Sequence, residues 1–207
     1  MTHLYLIRHA DYVYAEQEGK KRDLGLSPEG LAQADRLRER LARTGEIRPD
    51  VFISSTNRGA METAKILAPV LDTPVLPDAD VEEWRSEDGS FNTEEFMERW
   101  RQLPETDKPF YRWIDGYENW VEFSARAQAA LHRIVREHAG KTIVVLTHGG
   151  VIQASFEYFF GYGLATLQRS SLSMKNTSLT HWLQPETSGK WVLERFNNYH
   201  HLSEFYQ

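Results

Sequence analysis

Two short runs of large apolar residues, far apart in the chain, each end in a histidine. Residues 4–7 have the sequence LYLI and are followed by Arg8 and His9. Residues 142–146 have the sequence TIVVL and are followed, after one threonine, by His148. An apolar run of this length, rich in branched side chains, predicts a strand buried on both faces, as in the parallel sheet of an α/β protein.

The positions of these histidines predict a functional crevice. Parallel strands place their carboxyl ends at one edge of a sheet, and open α/β sheets bind ligands at that edge. A single histidine after a strand is usually structural, with its ring bonded to a backbone carbonyl. Two such histidines favour a site, since Arg8 precedes His9 and paired glycines, Gly149 and Gly150, follow His148.

The same residues resemble the signature of a known family. Residues 8–10, with the sequence RHA, are similar to the Arg-His-Gly sequence that follows the first strand of the histidine phosphatases, the phosphoglycerate mutase-like phosphatases. Residues 147–149, THG, match the end of a later strand in that family, and the resemblance covers nearly the whole chain. It implies an α/β fold, a three-layer α/β/α sandwich with a mostly parallel central sheet and a helical insertion over the active site.

Length and composition are compatible with one domain over residues 1–207. We expect no membrane association, because no apolar stretch approaches the roughly 18 residues of a membrane span. No signal peptide precedes the first strand, so a cytoplasmic protein is expected. The absence of cysteine excludes disulfides and thiolate metal sites. A net charge of −6 is unfavourable for a broad nucleic-acid surface. The oligomeric state stays open, a homodimer included.

The resemblance implies roles for the residues around the first strand. His9 corresponds to the nucleophile, while Arg8 and His148 correspond to groups that bind the phosphoryl oxygens. After its first histidine the family often continues to an asparagine that contacts phosphate, and this chain lacks that asparagine. Tyr12 lies in this stretch and is assigned to substrate binding, together with Gly149 of the second motif.

Residues 26–30, LSPEG, are similar to the family's Leu-Ser/Thr-x-x-Gly motif. Ser27 is suited to cap a helix whose first residue is Pro28. The resemblance implies that backbone groups at this turn approach the substrate, so Ser27 is also assigned to substrate binding. The helix is predicted to bury one apolar face made of Leu31, Ala34, Leu37 and Leu41.

Residues 54–64 resemble the family's Ser-x-x-x-Arg-Ala-x-x-Thr-Ala motif with an offset of one residue. Gly59 occupies the usual arginine position, and the arginine is Arg58. One residue in a regular helix rotates a side chain by about 100°, so Arg58 reaches phosphate only if the helix has not begun there. We therefore predict an irregular junction at Arg58 and Gly59, regular helix from Ala60, and phosphate binding by Arg58.

A general acid is expected in residues 81–83, VEE, which correspond to the family's Leu-x-Glu motif. The register assigns the acid to Glu83, and Glu82 takes the role if the register is shifted by one. Residues 85–117 are interpreted as an insertion that contains a helix after Thr93. The resemblance implies that this insertion roofs the pocket and varies with the substrate.

The chemistry of these residues favours a phosphomonoester phosphatase acting through phosphohistidine on His9. Arg8, Arg58 and His148 would hold the transferring oxygens, and Glu83 would protonate the leaving group. The expected partner is a small phosphorylated substrate, whose identity the sequence leaves open. No cofactor is expected, and two arginines beside the histidines would repel a metal ion.

Two other functions remain open. One is a cofactor-dependent phosphoglycerate mutase, although the chain is short for that group and lacks the asparagine. The other is an inactive phosphate-binding scaffold, which is suggested by Ala10 and by the displaced Arg58.

Overall fold

The computed structural model describes residues 1–17, 20–86, 93–162 and 172–203. Its strands are β1 (Thr2–Arg8), β2 (Tyr12–Gln17), β3 (Lys20–Leu26), β4 (Val51–Ser54), β5 (Val75–Pro77), β6 (Thr142–Thr147), β7 (Leu179–Gln184) and β8 (Val192–Asn198). Its α-helices are α1 (Pro28–Thr44), α2 (Arg58–Leu71), α3 (Thr93–Gln102), α4 (Trp120–Glu137) and α5 (Gly149–Phe160). Short 3₁₀ turns occupy Ala79–Val81, Lys108–Phe110 and His200–Leu202.

A six-stranded mixed sheet forms the centre of the molecule, with the strand order β5-β4-β6-β1-β7-β8. The pairs β5–β4, β4–β6 and β6–β1 are parallel, whereas β7 pairs antiparallel with β1 and β8 antiparallel with β7. Strands β2 and β3 form a separate antiparallel hairpin. The two runs predicted to be buried strands form β1 and β6, which are parallel neighbours in the middle of the sheet.

Helices cover both faces of the sheet. Leu4 and Leu6 of β1 pack in one core with residues of α4 and α5. Ile7 of β1 and Phe52 of β4 pack in a second core with residues of α1 and α2. Because alternate side chains of a strand point to opposite faces, buried side chains on both faces make the β1 run apolar throughout. The predicted α/β three-layer arrangement with a mostly parallel sheet is confirmed.

The start of α1 agrees with its predicted cap but not with one predicted core residue. Ser27 Oγ accepts a hydrogen bond from the Gly30 amide at 2.9 Å, and Pro28 is the first helical residue. Leu31, however, is 48% exposed, so its predicted burial is wrong. Gly30 and Gln33 face inward instead, because this first turn lies directly against the backbone of Asp11.

Helices α4 and α5 and the antiparallel pair of β7 and β8 complete the fold of the described residues. A capping box starts α4: the Asn119 side chain accepts the Glu122 amide, and the Glu122 side chain accepts the Asn119 amide. The insertion contains α3, where the Phe96 ring packs on Trp113 with centroids 3.7 Å apart. The predicted cap at Thr93 lies outside the described side chains. In the part of the chain that the structure describes, no helix is long and apolar enough to cross a membrane.

Candidate active site

The two histidines lie side by side at the carboxyl edge of the sheet. The parallel register pairs Arg8 with Thr147, which places the next residue of each strand in the same crevice. The rings of His9 and His148 have centroids 4.8 Å apart, and each residue is only 4% exposed. The predicted meeting of these histidines is confirmed, since the register of β1 and β6 leads to it directly.

The ring of His9 is held in one tautomer. Its Nδ1 lies 2.7 Å from the carbonyl oxygen of Ala10, which accepts a hydrogen bond only from a protonated nitrogen. Burial, with the nearby His148 and Arg8, lowers the pKa of His9 to about 4, although the Ala10 carbonyl and Glu83 oppose this change. The ring is therefore neutral at pH 7, with its proton on Nδ1 and the lone pair on Nε2.

His148 is held by a chain of hydrogen bonds from the connection between β4 and α2. Its Nε2 lies 2.7 Å from Ser55 Oγ, and Ser55 in turn donates to Asn57 Oδ1 at 3.2 Å. Burial, followed by the positive charge of Arg8, lowers the pKa of His148 to about 3. A neutral His148 lowers the repulsion beside Arg8, and a bound dianion would raise its pKa again.

The guanidinium of Arg8 has a buried donor that no described residue accepts. One of its terminal nitrogens donates to the carbonyl of Met174. Its Nε is buried and has no hydrogen-bond partner among the described residues. This Nε lies 3.9 Å from the place where a Cβ on Gly149 would be. Because an unpaired buried donor costs about 1–3 kcal/mol, this N–H is suited to an oxygen of a bound anion.

Glu83 is fixed against the start of α5. Its Oε2 accepts the Gly150 amide at 3.0 Å, and its Oε1 accepts the Trp84 amide at 3.0 Å. A Cβ on Gly150 would overlap Glu83 Oε1 and Phe123, so this position requires glycine. Glu83 is also among the charged groups that act on His9. The carboxylate is thus held near the histidines by backbone amides.

Glu82 has different partners from its neighbour. Its carboxylate accepts hydrogen bonds from Thr56 Oγ1 and, at 2.9 Å, from Arg85 Nε. Both glutamates line the same cavity, so the structure brings both candidate acids to the site. The guanidinium that already binds Glu82 makes it the weaker candidate for proton donation.

Arg126 of α4 holds the segment that bears both glutamates. Its guanidinium donates to the carbonyls of Asp80, Glu82 and Glu83 at 2.8, 3.1 and 3.2 Å. Glu118 binds the same guanidinium at 2.6 and 2.8 Å. One partly buried ion pair therefore fixes three carbonyls of the acid-bearing segment relative to the core.

A cavity of about 790 Å³ opens beside the histidines. Aromatic and carboxylate side chains dominate its described wall, together with small residues at the starts of α2 and α5. The wall is formed by Tyr12, Tyr14, Asp23, Asn57, Gly59, Ala60, Glu82, Glu83, Trp84, Arg85, Ser86, Tyr117, Trp120, His148, Gly150 and Gln153. Residues 85, 86 and 117 come from the ends of the predicted insertion.

The structure does not support the prediction for Arg58. Helix α2 begins at Arg58 itself, so the predicted irregular junction is wrong. The Arg58 side chain is 57% exposed and its Nε donates to Glu62 Oε1 at 2.8 Å. Helical geometry already at this position turns the guanidinium away from the cavity, whose described wall contains Gly59 but not Arg58.

The three residues assigned to substrate binding have different positions. Tyr12 lines the cavity, with its ring edge-on to His9 at a centroid distance of 4.8 Å. Ser27 is occupied as the α1 cap and also donates to Asp11 Oδ2 at 2.5 Å. Gly149 is the first residue of α5, and among the described wall residues it is Gly150 that faces the cavity.

Several wall residues escaped the sequence analysis. Asp23 reaches the cavity because the β2–β3 hairpin packs on α2, and Trp120 reaches it from the first turn of α4. Neither contact is encoded in a local pattern. Gly150 had a usable signal, since paired glycines after a strand indicate a close approach of another group to the backbone.

Comparisons with known proteins agree with this geometry. Residues 4–199 match the model of the histidine phosphatase superfamily, branch 1. The chain is 31% identical to phosphoglycerate mutase-like protein 4 of Arabidopsis thaliana, over 88% of this chain and 78% of that protein. It is 27% identical to a metal-independent phosphoserine phosphatase of the same plant, over 98% and 84% of the two chains.

Solved structures share the fold. The YhfR protein of Bacillus stearothermophilus is 24% identical and superposes with a TM-score of 0.77, over 98% of this chain and all of that one. A phosphoserine phosphatase of Entamoeba histolytica, solved with phosphoserine, superposes with a TM-score of 0.72 at 21% identity, over 98% and 100% of the two chains. With its paired histidines and a family match over nearly its full length, this chain belongs to the histidine phosphatase superfamily, branch 1.

Proposed function

We propose that the protein is a phosphomonoester phosphatase that acts through phosphohistidine on His9. The observation that carries the proposal is a neutral His9, held with its lone pair on Nε2, beside a buried Arg8 donor that has no partner among the described residues. A nucleophile and an anion-binding group in one crevice are what phosphoryl transfer requires.

In the first step, His9 Nε2 attacks phosphorus as the ester P–O bond breaks. The electron pair of that bond goes to the leaving oxygen, which takes a proton from the carboxyl group of Glu83. Arg8 and His148, which are in place before the reaction begins, stabilise the charge on the equatorial oxygens. The products of this step are the free alcohol and phosphohistidine.

In the second step, water attacks the phosphohistidine and the P–N bond breaks. Glu83, now a carboxylate, takes one proton from the water, which restores its acid form. Nε2 of His9 recovers its lone pair as inorganic phosphate leaves. The metal-independent phosphoserine phosphatase among the relatives supports this mechanism without a metal.

The orientation of Arg58 favours one alternative, an inactive phosphate-binding scaffold. Without Arg58, the described residues supply Arg8 as the guanidinium nearest the histidines, so transition-state charge is less fully neutralised. A cofactor-dependent mutase is the other alternative, and it differs in product, because a mutase isomerises its substrate whereas a phosphatase releases phosphate.

A panel of small phosphomonoesters, assayed for released phosphate, tests the proposal. We expect turnover by the wild-type protein and none by His9→Ala, while His200→Ala, which changes an exposed histidine, keeps wild-type rates. Turnover should persist in a chelator. Binding of phosphate without turnover of any ester would establish the scaffold instead.

A further inference from the structure

Asp23 places a fixed negative charge in the wall of the cavity. Its Oδ1 accepts the Gly25 amide at 2.8 Å, and its Oδ2 accepts the Gly59 amide at 2.9 Å. Gly59 is the second residue of α2, where the helix dipole attracts anions. The carboxylate of Asp23 therefore occupies the position at which this helix would otherwise bind an external anion.

Among the described side chains, no cation lies beside Asp23 and Gly59. A Cβ at residue 59 would lie 3.2 Å from the Tyr12 side chain and 3.6 Å from Asp23 Oδ2. The preceding residue, Arg58, points outward and is paired with Glu62. The corner between β3 and α2 thus combines an aromatic ring with a carboxylate that has no cationic partner among the described side chains.

The opposite wall does not restore a positive charge. Arg85 faces the cavity, but its Nε binds Glu82 and one of its terminal nitrogens binds the carbonyl of Ala79. Glu82 therefore stands with Asp23 as a wall carboxylate, apart from Glu83, which serves as the acid. Among the wall residues that the structure describes, carboxylates therefore outnumber guanidinium groups away from the phosphate position.

We infer that Asp23 is a specificity-determining residue that selects phosphomonoesters whose leaving group carries no net negative charge. The substrate class is then a monoester of a neutral, zwitterionic or amine-bearing alcohol, and not one with a second phosphate or an unbalanced carboxylate. This inference rests on the proposed function, because it concerns the leaving group of that same reaction.

Three matched substrates test the inference. They are phenyl phosphates whose para substituent is propyl, 2-ammonioethyl or 2-carboxyethyl, so the charge differs while the phenol stays similar in size and acidity. We expect kcat/KM to be highest for the ammonium compound and lowest for the carboxylate. The difference should be on the order of tenfold or more, the effect of one charge pair at close range near a protein surface.

Asp23→Asn should bring the three kcat/KM values within about threefold of one another, because it removes the charge and keeps one acceptor. Asp35→Asn, which removes an exposed acid of α1, should leave the wild-type ratios unchanged. Unchanged ratios in a folded Asp23→Asn protein would overturn the inference, as would equal rates for all three substrates in the wild-type protein.

A measurement on the wild-type protein alone covers the case in which Asp23→Asn does not fold. Raising the salt concentration from about 0.05 to 0.5 M should shrink the difference between the ammonium and carboxylate substrates, because salt screens the interaction. A difference that ignores salt would overturn the inference. No turnover of any of the three compounds would instead contradict the proposed function, so the two failures are distinguishable.

Discussion

At the scale of single residues, backbone groups hold the reactive side chains. The Ala10 carbonyl determines the tautomer of His9, and the Gly150 amide fixes Glu83. Such contacts keep a side chain in place without a second ionisable group, so replacing the side chain removes its chemistry with little other change. Glu83 can therefore be tested separately from Glu82 and Arg58, which pair with charged side chains instead.

Glu83→Gln should slow alkyl phosphates by roughly 10²–10⁴ and an activated aryl phosphate much less, because only a poor leaving group needs a proton. Glu82→Gln is the matched control and should change both substrates by similar, small factors. Steady-state kinetics on the two substrates decides between them. If the defect of Glu82→Gln depends on the leaving group instead, Glu82 is the acid.

Arg58→Ala should leave kcat and KM within about twofold of wild type, because the exposed side chain points away from the cavity. Loss of its pair with Glu62 should lower the free energy of unfolding by only about 0.3–0.5 kcal/mol. This outcome differs from the role that the sequence motif suggests for Arg58. A loss of 10²-fold or more, the scale for removal of a preorganised donor, would show that the guanidinium turns inward when substrate binds.

At the scale of elements, the termini of strands and helices position the site. His9 and His148 follow directly from the ends of β1 and β6, so the sequence alone predicts their meeting. The role of Arg58 depended on where α2 begins, because one residue of difference in a helix rotates a side chain by about 100°. Asp23 depended on hairpin packing that has no local signature. Contacts at the ends of parallel strands are therefore predictable, whereas contacts that depend on a helix boundary or on the packing of a hairpin are not.

Helix α4 positions the acid-bearing segment through Arg126, and Arg126→Lys tests this. Lysine keeps the charge but cannot hold three carbonyls and Glu118 at once. We expect kcat to fall roughly ten- to a hundredfold for alkyl phosphates, the scale of a misplaced catalytic group, and less for an aryl phosphate. Arg133→Lys, a change on the same helix that alters only an ion pair with Asp78, should leave kcat for both substrates unchanged.

At the scale of the whole molecule, several histidines are neutral because they are buried. Burial is the largest cause that lowers the pKa of His9, His181 and His201 to about 4, and that of His148 to about 3. The unfolded chain, with histidine pKa values near 6.5, binds protons that the folded protein does not. Stability is therefore complete above about pH 6.5 and decreases as the pH falls towards 4.

Denaturant unfolding at a series of pH values checks this linkage. The midpoint should fall measurably between pH 6.5 and 5, before most carboxylates are protonated. His201→Gln, which removes one of the buried rings, should make the decrease shallower. A midpoint that stays constant down to pH 5 would contradict neutral buried histidines, including His9.

Direct detection of phosphohistidine tests the central claim. The protein is mixed with an activated aryl phosphate, quenched under alkaline conditions that preserve phosphohistidine, digested and analysed by mass spectrometry. We predict phosphate on His9, formed and lost at rates that account for steady-state turnover, and absent in His9→Ala. Turnover with no phosphoenzyme, or with phosphate on a residue other than His9, would contradict the account.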